Sequence, residues 1–204
     1  MDQRAIFLNV PYDKEFEPLF LAYLVGLTGL GLLPRATLEL PVSMQRIERI
    51  VNLIDSCDYS LHDLSRIQLT LTSPQVPRFN MPFELGMAYY KTRLSANHQC
   101  FIFANDHRQF EQSLSDLKGV DILQHSGDPK KLFSELVGAF DSRGQKPSVP
   151  AMLEVQQLLL ADLNRIFEES GCATVFHPAS FKQIVIILIK TWTRRQSKTR
   201  SISR

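Results

Sequence analysis

One stretch of the sequence places an acidic side chain in a setting suited to catalysis. Residues 78–88 read RFNMPFELGMA, which predicts a loop that turns into a helix, with Asn80 capping the first turn and Pro82 tolerated within it. Glu84 then falls in the first turns among apolar neighbours, near the positive end of the helix dipole. The dipole favours the ionised carboxylate and apolar burial favours the neutral acid, a balance typical of catalytic carboxylates. The alternative is an ordinary first-turn acid that complements the dipole.

A second group of polar residues belongs to a predicted strand at residues 58–66. His62, Asp63, Ser65 and Arg66 lie toward its C-terminal end, and ligands of open parallel sheets collect at that edge. His62 is flanked by leucines, which favours a core histidine over a catalytic one. For Arg66 the alternative to a ligand contact is a structural or surface salt bridge.

The first predicted strand covers residues 5–10, AIFLNV, and is apolar enough to be buried on both faces of a parallel sheet. Asn9 lies at its end, and Tyr12 and Asp13 follow in a short polar turn. These side chains are therefore candidates to contact a ligand at the same sheet edge. Tyr12 and Asp13 could instead simply form an Asx-type turn.

The segments that must position these residues alternate between helix and strand patterns. Apolar residues at helical spacing from Phe16 onward predict a first helix that ends near Gly31. Residues 32–40 predict a second strand, which carries Arg35. Arg35 is a candidate phosphate ligand, with a salt bridge as the alternative.

A second helix is predicted at residues 44–56, with Ser43 as its cap. Its expected inner face is made of Ile47, Ile50, Val51 and Ile54. After the Glu84 helix come a strand at 99–104, a helical stretch through 110 and 117, a weak strand at 120–123 and a helix at 129–140. About five strands alternating with helices predict a doubly wound α/β domain over residues 1–143.

Residues 144–150, GQKPSVP, break this pattern and predict a linker to a helical appendage at 151–193. Its second helix, at 180–193, is almost wholly apolar in the middle. We therefore expect the helix pair to pack on the α/β domain or on another subunit, in a homo-oligomer or with a partner protein. Residues 194–204 form a basic tail, predicted to be a solvated, disordered end, with contact to nucleic acid or an acidic partner as the alternative.

The composition limits the class of protein. The chain has 204 residues, 44% of them hydrophobic, and a formal net charge of +2, which predicts a globular protein with its own core. Cys57, Cys100 and Cys172 are odd in number and lack metal-ligand spacing, so we expect buried thiols, no metal and a reducing compartment. The sequence has no signal-peptide pattern and no apolar run long enough to cross a bilayer, which predicts a cytoplasmic protein outside the membrane.

Three of these stretches together resemble the TIR-like and nucleoside 2-deoxyribosyltransferase-like superfamily. They are NVPYD at residues 9–13, CDYSLHDLS at residues 57–65 and NMPFELGMA at residues 80–88. The resemblance extends over residues 5–140 and implies a flavodoxin-like sheet that presents a glutamate to the ribose of a nucleotide or of NAD. Many bacterial members of this superfamily act in defence against phage.

Carried over by position, the resemblance implies that Glu84 is catalytic and that Asp63 assists it at the sugar, while Asn9, Tyr12 and Asp13 contact the nucleotide. The remaining predicted substrate contacts lie beside the two acids and are Ser65, Asn80 and Met81. The sequence departs from the NAD-cleaving TIR pattern just before the glutamate, where FNMP replaces small residues and a cysteine. The substrate is therefore open between NAD and a related nucleotide.

The chemistry that the resemblance implies is cleavage of an N-glycosidic bond. The reaction passes through an oxocarbenium-like state, which the Glu84 carboxylate can stabilise or trap covalently. Nicotinamide leaves NAD as a neutral molecule, so no strong general acid is needed. Arg35 or Arg66 would pair with phosphates, and no separate cofactor is expected.

A second function stays open, a non-catalytic module of the same fold that senses a nucleotide or assembles with a partner. An open pocket around Glu84, with Asn9, Asp63 and Asn80 converging on it, would favour the enzyme. A pocket filled by residues 69–78 would favour the module.

Overall fold

The computed structural model describes residues 4–39, 45–67, 79–106, 114, 117, 119–140 and 146–202. Its centre is a sheet of five parallel strands in the order β2-β1-β3-β4-β5. The strands are β1 (Ala5–Asn9), β2 (Leu33–Arg35), β3 (Tyr59–Asp63), β4 (Gln99–Ala104) and β5 (Ile122–Gln124). The central strands β1 and β3 are almost wholly buried, as expected of parallel strands covered on both faces, and the edge strands β2 and β5 are half-buried.

Six α-helices flank this sheet in the described residues. They are α1 (Glu17–Gly29), α2 (Arg46–Ser56), α3 (Asn80–Leu94), α4 (Pro129–Ala139), α5 (Val149–Ser170) and α6 (Pro178–Ile202). Helices α1 and α4 pack on one face of the sheet with α5 and α6 beyond them, and α2 and α3 pack on the other face. The predicted α/β fold, a flavodoxin-like sheet followed by C-terminal helices, is confirmed. None of the described helices has the length and apolarity needed to cross a membrane.

Helix α1 is buried on every side from Leu19 onward. It is apolar around its whole circumference, so it must be covered by more than the sheet. Two glycines of α1 allow the helices that cover it to approach closely. A Cβ at Gly26 would lie 2.6 Å from the Cδ1 atom of Leu136, and a Cβ at Gly29 would lie 2.9 Å from the Cε2 atom of Trp192.

The C-terminal helices provide the second cover for α1. In α6, Trp192 is 5% exposed and its indole N–H donates to the carbonyl of Val25, 3.1 Å away. In α5, the Gln156 amide donates to the carbonyl of Pro18 at 3.2 Å. The helix pair was expected to pack on the α/β domain or on another subunit, and in this structure it packs on the α/β domain.

The prediction of a disordered basic tail is wrong for its described part, residues 194–202. Helix α6 continues through residue 194 to Ile202. Arg195 holds the start of this extension, because its two terminal nitrogens lie 3.2 and 2.6 Å from the carboxylate oxygens of Glu154 in α5. A bidentate pair of this kind fixes the relative position of the two helices.

The second predicted strand is much shorter than residues 32–40. It ends at Arg35 and is followed by a 3₁₀ helix, Thr37–Glu39. The cause is Glu39, whose carboxylate accepts a 2.8 Å hydrogen bond from the backbone N–H of Ala36 and another at 2.8 Å from Arg35 Nε. These two bonds close a turn where the sequence pattern indicates an extended strand.

The predicted inner face of α2 is half wrong. Ile50 and Ile54 are buried as expected, but Ile47 and Val51 are 51% and 38% exposed, and Leu53 is buried instead. The helix rests on β1 and α3 through a narrow stripe, so positions 47 and 51 turn toward solvent. The predicted cap Ser43 and the predicted helical residue Phe110 lie outside the described residues.

The packing of α6 on α1 predicts a large loss of stability for Trp192→Ala. The change removes a buried indole and its hydrogen bond, so the free energy of unfolding should fall by about 3–5 kcal/mol. The matched control is Ile186→Ala on the same helix, where the side chain is 52% exposed and the change should stay within about 1 kcal/mol. Urea unfolding of the full chain measures both. Equal losses for the two variants would show that α6 does not support α1.

Candidate active site around Glu84

A cavity of about 460 Å³ opens beside the C-terminal end of β1. It lies between the loop after β1, the 3₁₀ helix, and the first turns of α2 and α3. The residues that line it are Phe7, Asn9, Val10, Pro11, Tyr12, Thr37, Arg46, Phe79, Asn80, Met81 and Glu84. Its volume is in the range of small-molecule sites, and its lining combines apolar side chains with a few polar ones, which is typical of such sites.

Glu84 lies in the second turn of α3 and is 4% exposed. Asn80 does not cap this helix, because it is already the first helical residue. The N-cap is Phe79, whose φ and ψ of −71° and −17° are helical, and its side chain makes no capping hydrogen bond. Asn80 therefore keeps its amide available on the wall of the cavity, beside Met81.

Burial raises the pKa of Glu84 from its ordinary value of 4.5 to about 7, and the nearby charge of Arg46 opposes this rise. Arg46 Nη2 lies 3.9 Å from Glu84 Oε1, too far for a hydrogen bond but close enough for charge attraction. The carboxyl group therefore exists in both its neutral and ionised forms near neutral pH. The sequence predicts opposing effects of burial and of a positive charge on the pKa of Glu84. In the structure the positive charge is the Arg46 side chain, in addition to the helix dipole.

Asn9 is positioned by the neighbouring strand. It is paired in register with His62, and its amide nitrogen donates to His62 Nδ1 at 3.0 Å. His62 is fully buried, and burial together with the nearby His98 lowers its pKa to about 3. The imidazole is therefore neutral and accepts this bond through Nδ1. Among the described residues its Nε2 atom has no hydrogen-bond partner.

Tyr12 connects the cavity to the C-terminal region. Its hydroxyl lies 3.5 Å from the hydroxyl of Thr37, and its ring packs against Phe20 of α1 and Phe176 of the α5–α6 connection. Burial raises the pKa of Tyr12 to about 12, so the phenol is neutral. It is a hydrogen-bonding group held in place from behind by aromatic contacts.

The structure does not bring Asp63 to this cavity. Asp63 follows His62 directly, so its side chain points to the opposite face of the sheet, toward α1. It is fully buried there and accepts hydrogen bonds from Tyr23 Oη at 2.7 Å and from His125 Nε2 at 2.9 Å. The sugar-binding role that the resemblance implies for Asp63 therefore has no support in this geometry, and Glu84 is the carboxylate of the site.

Ser65 also belongs to the Asp63 network rather than to the cavity lining. Its backbone N–H donates to Asp63 Oδ1 at 2.9 Å, and its hydroxyl lies 3.2 Å from His125 Nε2. Gly127 N–H donates to His125 Nδ1 at 3.0 Å, so the imidazole proton is on Nε2 and is shared between Asp63 and Ser65. A catalytic Ser-His-Asp triad needs the serine and the aspartate on different nitrogens. The network is structural.

Three other predicted ligand contacts are engaged with one another or with acids. Asp13 lies 3.5 Å from Arg66 Nε, and Arg66 Nη2 bonds the carboxylate of Glu15 at 2.7 Å. The Asp13 carboxylate also accepts the backbone N–H three residues on, at 3.0 Å. Arg35 is bonded to Glu39. Arg35 and Arg66 therefore form salt bridges, and Asp13 bonds its own turn, as the alternatives to ligand binding predicted. None of these three residues lines the cavity.

Two polar residues of the cavity lining, Arg46 and Thr37, were not predicted from the sequence, and neither were the apolar residues Phe7, Val10, Pro11 and Phe79. Thr37 lies where a strand is predicted, and only the 3₁₀ turn brings its hydroxyl to the site. Arg46 is the first residue of α2. Its signal is positional, because a helix start that follows a strand of a parallel sheet lies at the ligand-binding edge.

No protein-family model matches the chain, and no curated protein matches it either. The resemblance to the TIR-like and deoxyribosyltransferase-like superfamily thus depends on the residues quoted above. In the part of the chain that the structure describes, no three His, Cys, Asp or Glu side chains are grouped so as to hold a metal ion. The described residues of the lining offer one carboxylate, one guanidinium, two amides and two hydroxyls to a ligand.

The pKa of Glu84 predicts a pH-dependent stability. Because the folded value, about 7, lies above the ordinary value of 4.5, the contribution of Glu84 is fully present below the ordinary value and is lost as the pH rises through 7. Glu84→Gln should remove this loss. As the pH rises from 4.5 to about 7, the free energy of unfolding of the variant should therefore increase relative to that of the wild type. Urea unfolding at several pH values measures the difference.

The control for this experiment is Glu154→Gln. The hydrogen bond and charge of Arg195 lower the pKa of Glu154, so its contribution is lost only as the pH falls below the ordinary value. Its difference from wild type should stay flat over the same interval. A flat difference for Glu84→Gln as well would mean that Glu84 is not a buried, perturbed acid.

Proposed function

We propose that this protein cleaves the N-glycosidic bond of NAD or a related nucleotide in the Glu84 cavity. The observation that carries the proposal is a nearly buried, ionisable carboxylate on the wall of an open cavity at the C-terminal edge of a parallel sheet. The residues quoted for the superfamily resemblance put their glutamate at this same position. The substrate class follows from that resemblance.

Glu84 would act on the anomeric carbon of the ribose. The C1′–N bond breaks with its electron pair going to the base, and the carboxylate stabilises the positive charge that develops on the sugar or bonds to it. A water oxygen then bonds to C1′, displaces the Glu84 carboxylate if that group has bonded to the sugar, and releases its proton to solvent. Nicotinamide leaves NAD as a neutral molecule, whereas the base of another nucleotide takes up a proton from solvent as it leaves. The amides of Asn9 and Asn80 supply hydrogen bonds for ribose hydroxyls, and Phe79, 70% exposed at the cavity wall, offers a ring face for the base.

A second candidate function is a module that binds the nucleotide without cleaving it. The observation in its favour is that Asp63 faces α1, so Glu84 is the single carboxylate among the described residues of the lining. A site with one acid can bind a ribose without turnover. Residues 69–78, which were expected to separate the two functions by filling or leaving the pocket, lie outside the described residues.

The wider role that we propose is that of an effector in bacterial anti-phage defence, working in the cytoplasm, where nucleotides are available. Assembly with a second copy or a partner protein is part of this proposal. Since the inner face of α6 is buried on α1, such assembly would use the outer surface of the C-terminal helices, where Leu158, Leu160 and Ile186 are 55%, 45% and 52% exposed. Contact of the basic end of α6 with nucleic acid stays a prediction.

The test is base release by the wild type and by Glu84→Gln. The variant keeps the size of the side chain but removes its charge, so release of base from NAD or a nucleotide should fall on the order of a hundredfold or more. Glu48→Gln, an exposed acid on α2, is the control and should keep wild-type activity. Released base is measured by chromatography after incubation with NAD, NADP and a panel of nucleotides.

Full activity in Glu84→Gln would contradict the site assignment. Absence of base release from the wild type with every substrate, alone and with its native partners, would replace the enzyme by the binding module.

A further inference from the structure

The described lining of the cavity carries one positive and one negative side chain. Arg46 is the one cation and Glu84 the one acid among the described residues that line it. The other polar groups of the lining are the amides of Asn9 and Asn80 and the hydroxyls of Tyr12 and Thr37, all neutral at pH 7. Among these described residues, Arg46 is therefore the side chain that attracts a ligand with a negative charge.

Arg46 differs from the paired arginines of the described residues in its distance to the nearest carboxylate. Arg35, Arg66 and Arg195 each contact a carboxylate oxygen at 2.6–2.8 Å. Arg46 lies 3.9 Å from Glu84, and its side chain is 62% exposed. No carboxylate of the described part of the chain therefore lies at hydrogen-bond distance from its guanidinium group. A planar guanidinium without such a partner can donate two parallel hydrogen bonds to two oxygens of a phosphate.

We infer that Arg46 is the residue by which this cavity selects ligands that carry a phosphate, so that nucleotides bind in preference to nucleosides. The inference deepens the proposed function and rests on it for the nucleoside part of the ligand. It also reassigns the phosphate contact, which the sequence predicts for Arg35 or Arg66. Those two side chains already bond Glu39 and Glu15, and binding a phosphate would require them to break these bonds.

The position of Arg46 fits a ligand that places its phosphate and its anomeric carbon on the same wall. Glu84 and Arg46 are near neighbours, and in a nucleotide the 5′ phosphate and C1′ belong to the same sugar. A phosphate at Arg46 thus leaves the ribose beside Glu84. Nucleoside binding uses the amides and the apolar wall alone, so it should not depend on Arg46.

Calorimetric titration with adenosine and AMP tests the inference. The full-length wild type should bind AMP about tenfold or more tightly than adenosine, the effect of one charge-assisted contact. In Arg46→Gln this preference should fall to near one, with the affinity for adenosine unchanged. Added salt should weaken AMP binding to the wild type but not adenosine binding. Arg66→Gln is the matched control and should keep the preference.

Each outcome decides the question. Equal binding of AMP and adenosine by the wild type, a preference that survives Arg46→Gln, or binding of neither ligand would overturn the inference. Arg46→Lys keeps the charge and loses the fork, so an intermediate preference would separate phosphate recognition from a general structural effect of the arginine. The proposed cleavage is judged separately by base release. A preference lost in Arg46→Gln without any base release would refute the cleavage and leave the inference standing.

Discussion

The need to bury helix α1 on all sides determines how the rest of this structure is arranged. The sheet covers one side of α1, and α4, α5 and α6 cover the others, with Trp192 and Gln156 bonding carbonyls on its surface. Covering α1 in this way also fixes the site. Phe176, which joins α5 to α6, packs on the ring of Tyr12, and Tyr12 forms part of the cavity wall. The C-terminal helices are therefore a structural part of the α/β domain and support the site from behind.

Strand alternation decides which polar residues of the sheet edge can meet. Asn9 and His62 are paired in register and share the face that packs on α2 and α3, whereas Asp63, one residue later, faces α1. Asn9 and Asp63 are predicted to converge because they lie at the C-terminal ends of neighbouring strands, whereas His62 is predicted to be a core histidine. That rule locates the edge but does not distinguish the two faces. Strand register and side-chain alternation together place Asp63 on the face of the sheet opposite to the Glu84 cavity.

The parts that could be predicted are those that follow from apolar runs. Strands β1 and β4 come from such runs, and the apolar neighbours of Glu84 predict the helix that carries it and the burial of that carboxylate. Strands β2, β3 and β5 are also predicted, but with different bounds. The short β2 and the 3₁₀ helix result from hydrogen bonds of Glu39, and the inner stripe of α2 depends on how the helix rests on β1. The position of Arg46 beside Glu84 is set by tertiary packing. Local patterns do not contain that information.

The account depends on a nucleotide lying with its sugar at Glu84 and its phosphate at Arg46. The most direct measurement is a crystal structure of the Glu84→Gln protein with a nucleotide bound. We expect the anomeric carbon about 3–3.5 Å from the side chain at position 84, the distance of reacting groups, and the phosphate in contact with Arg46. A nucleotide bound elsewhere on the molecule, or bound in this cavity with its base at position 84 and its sugar in solvent, would contradict the account.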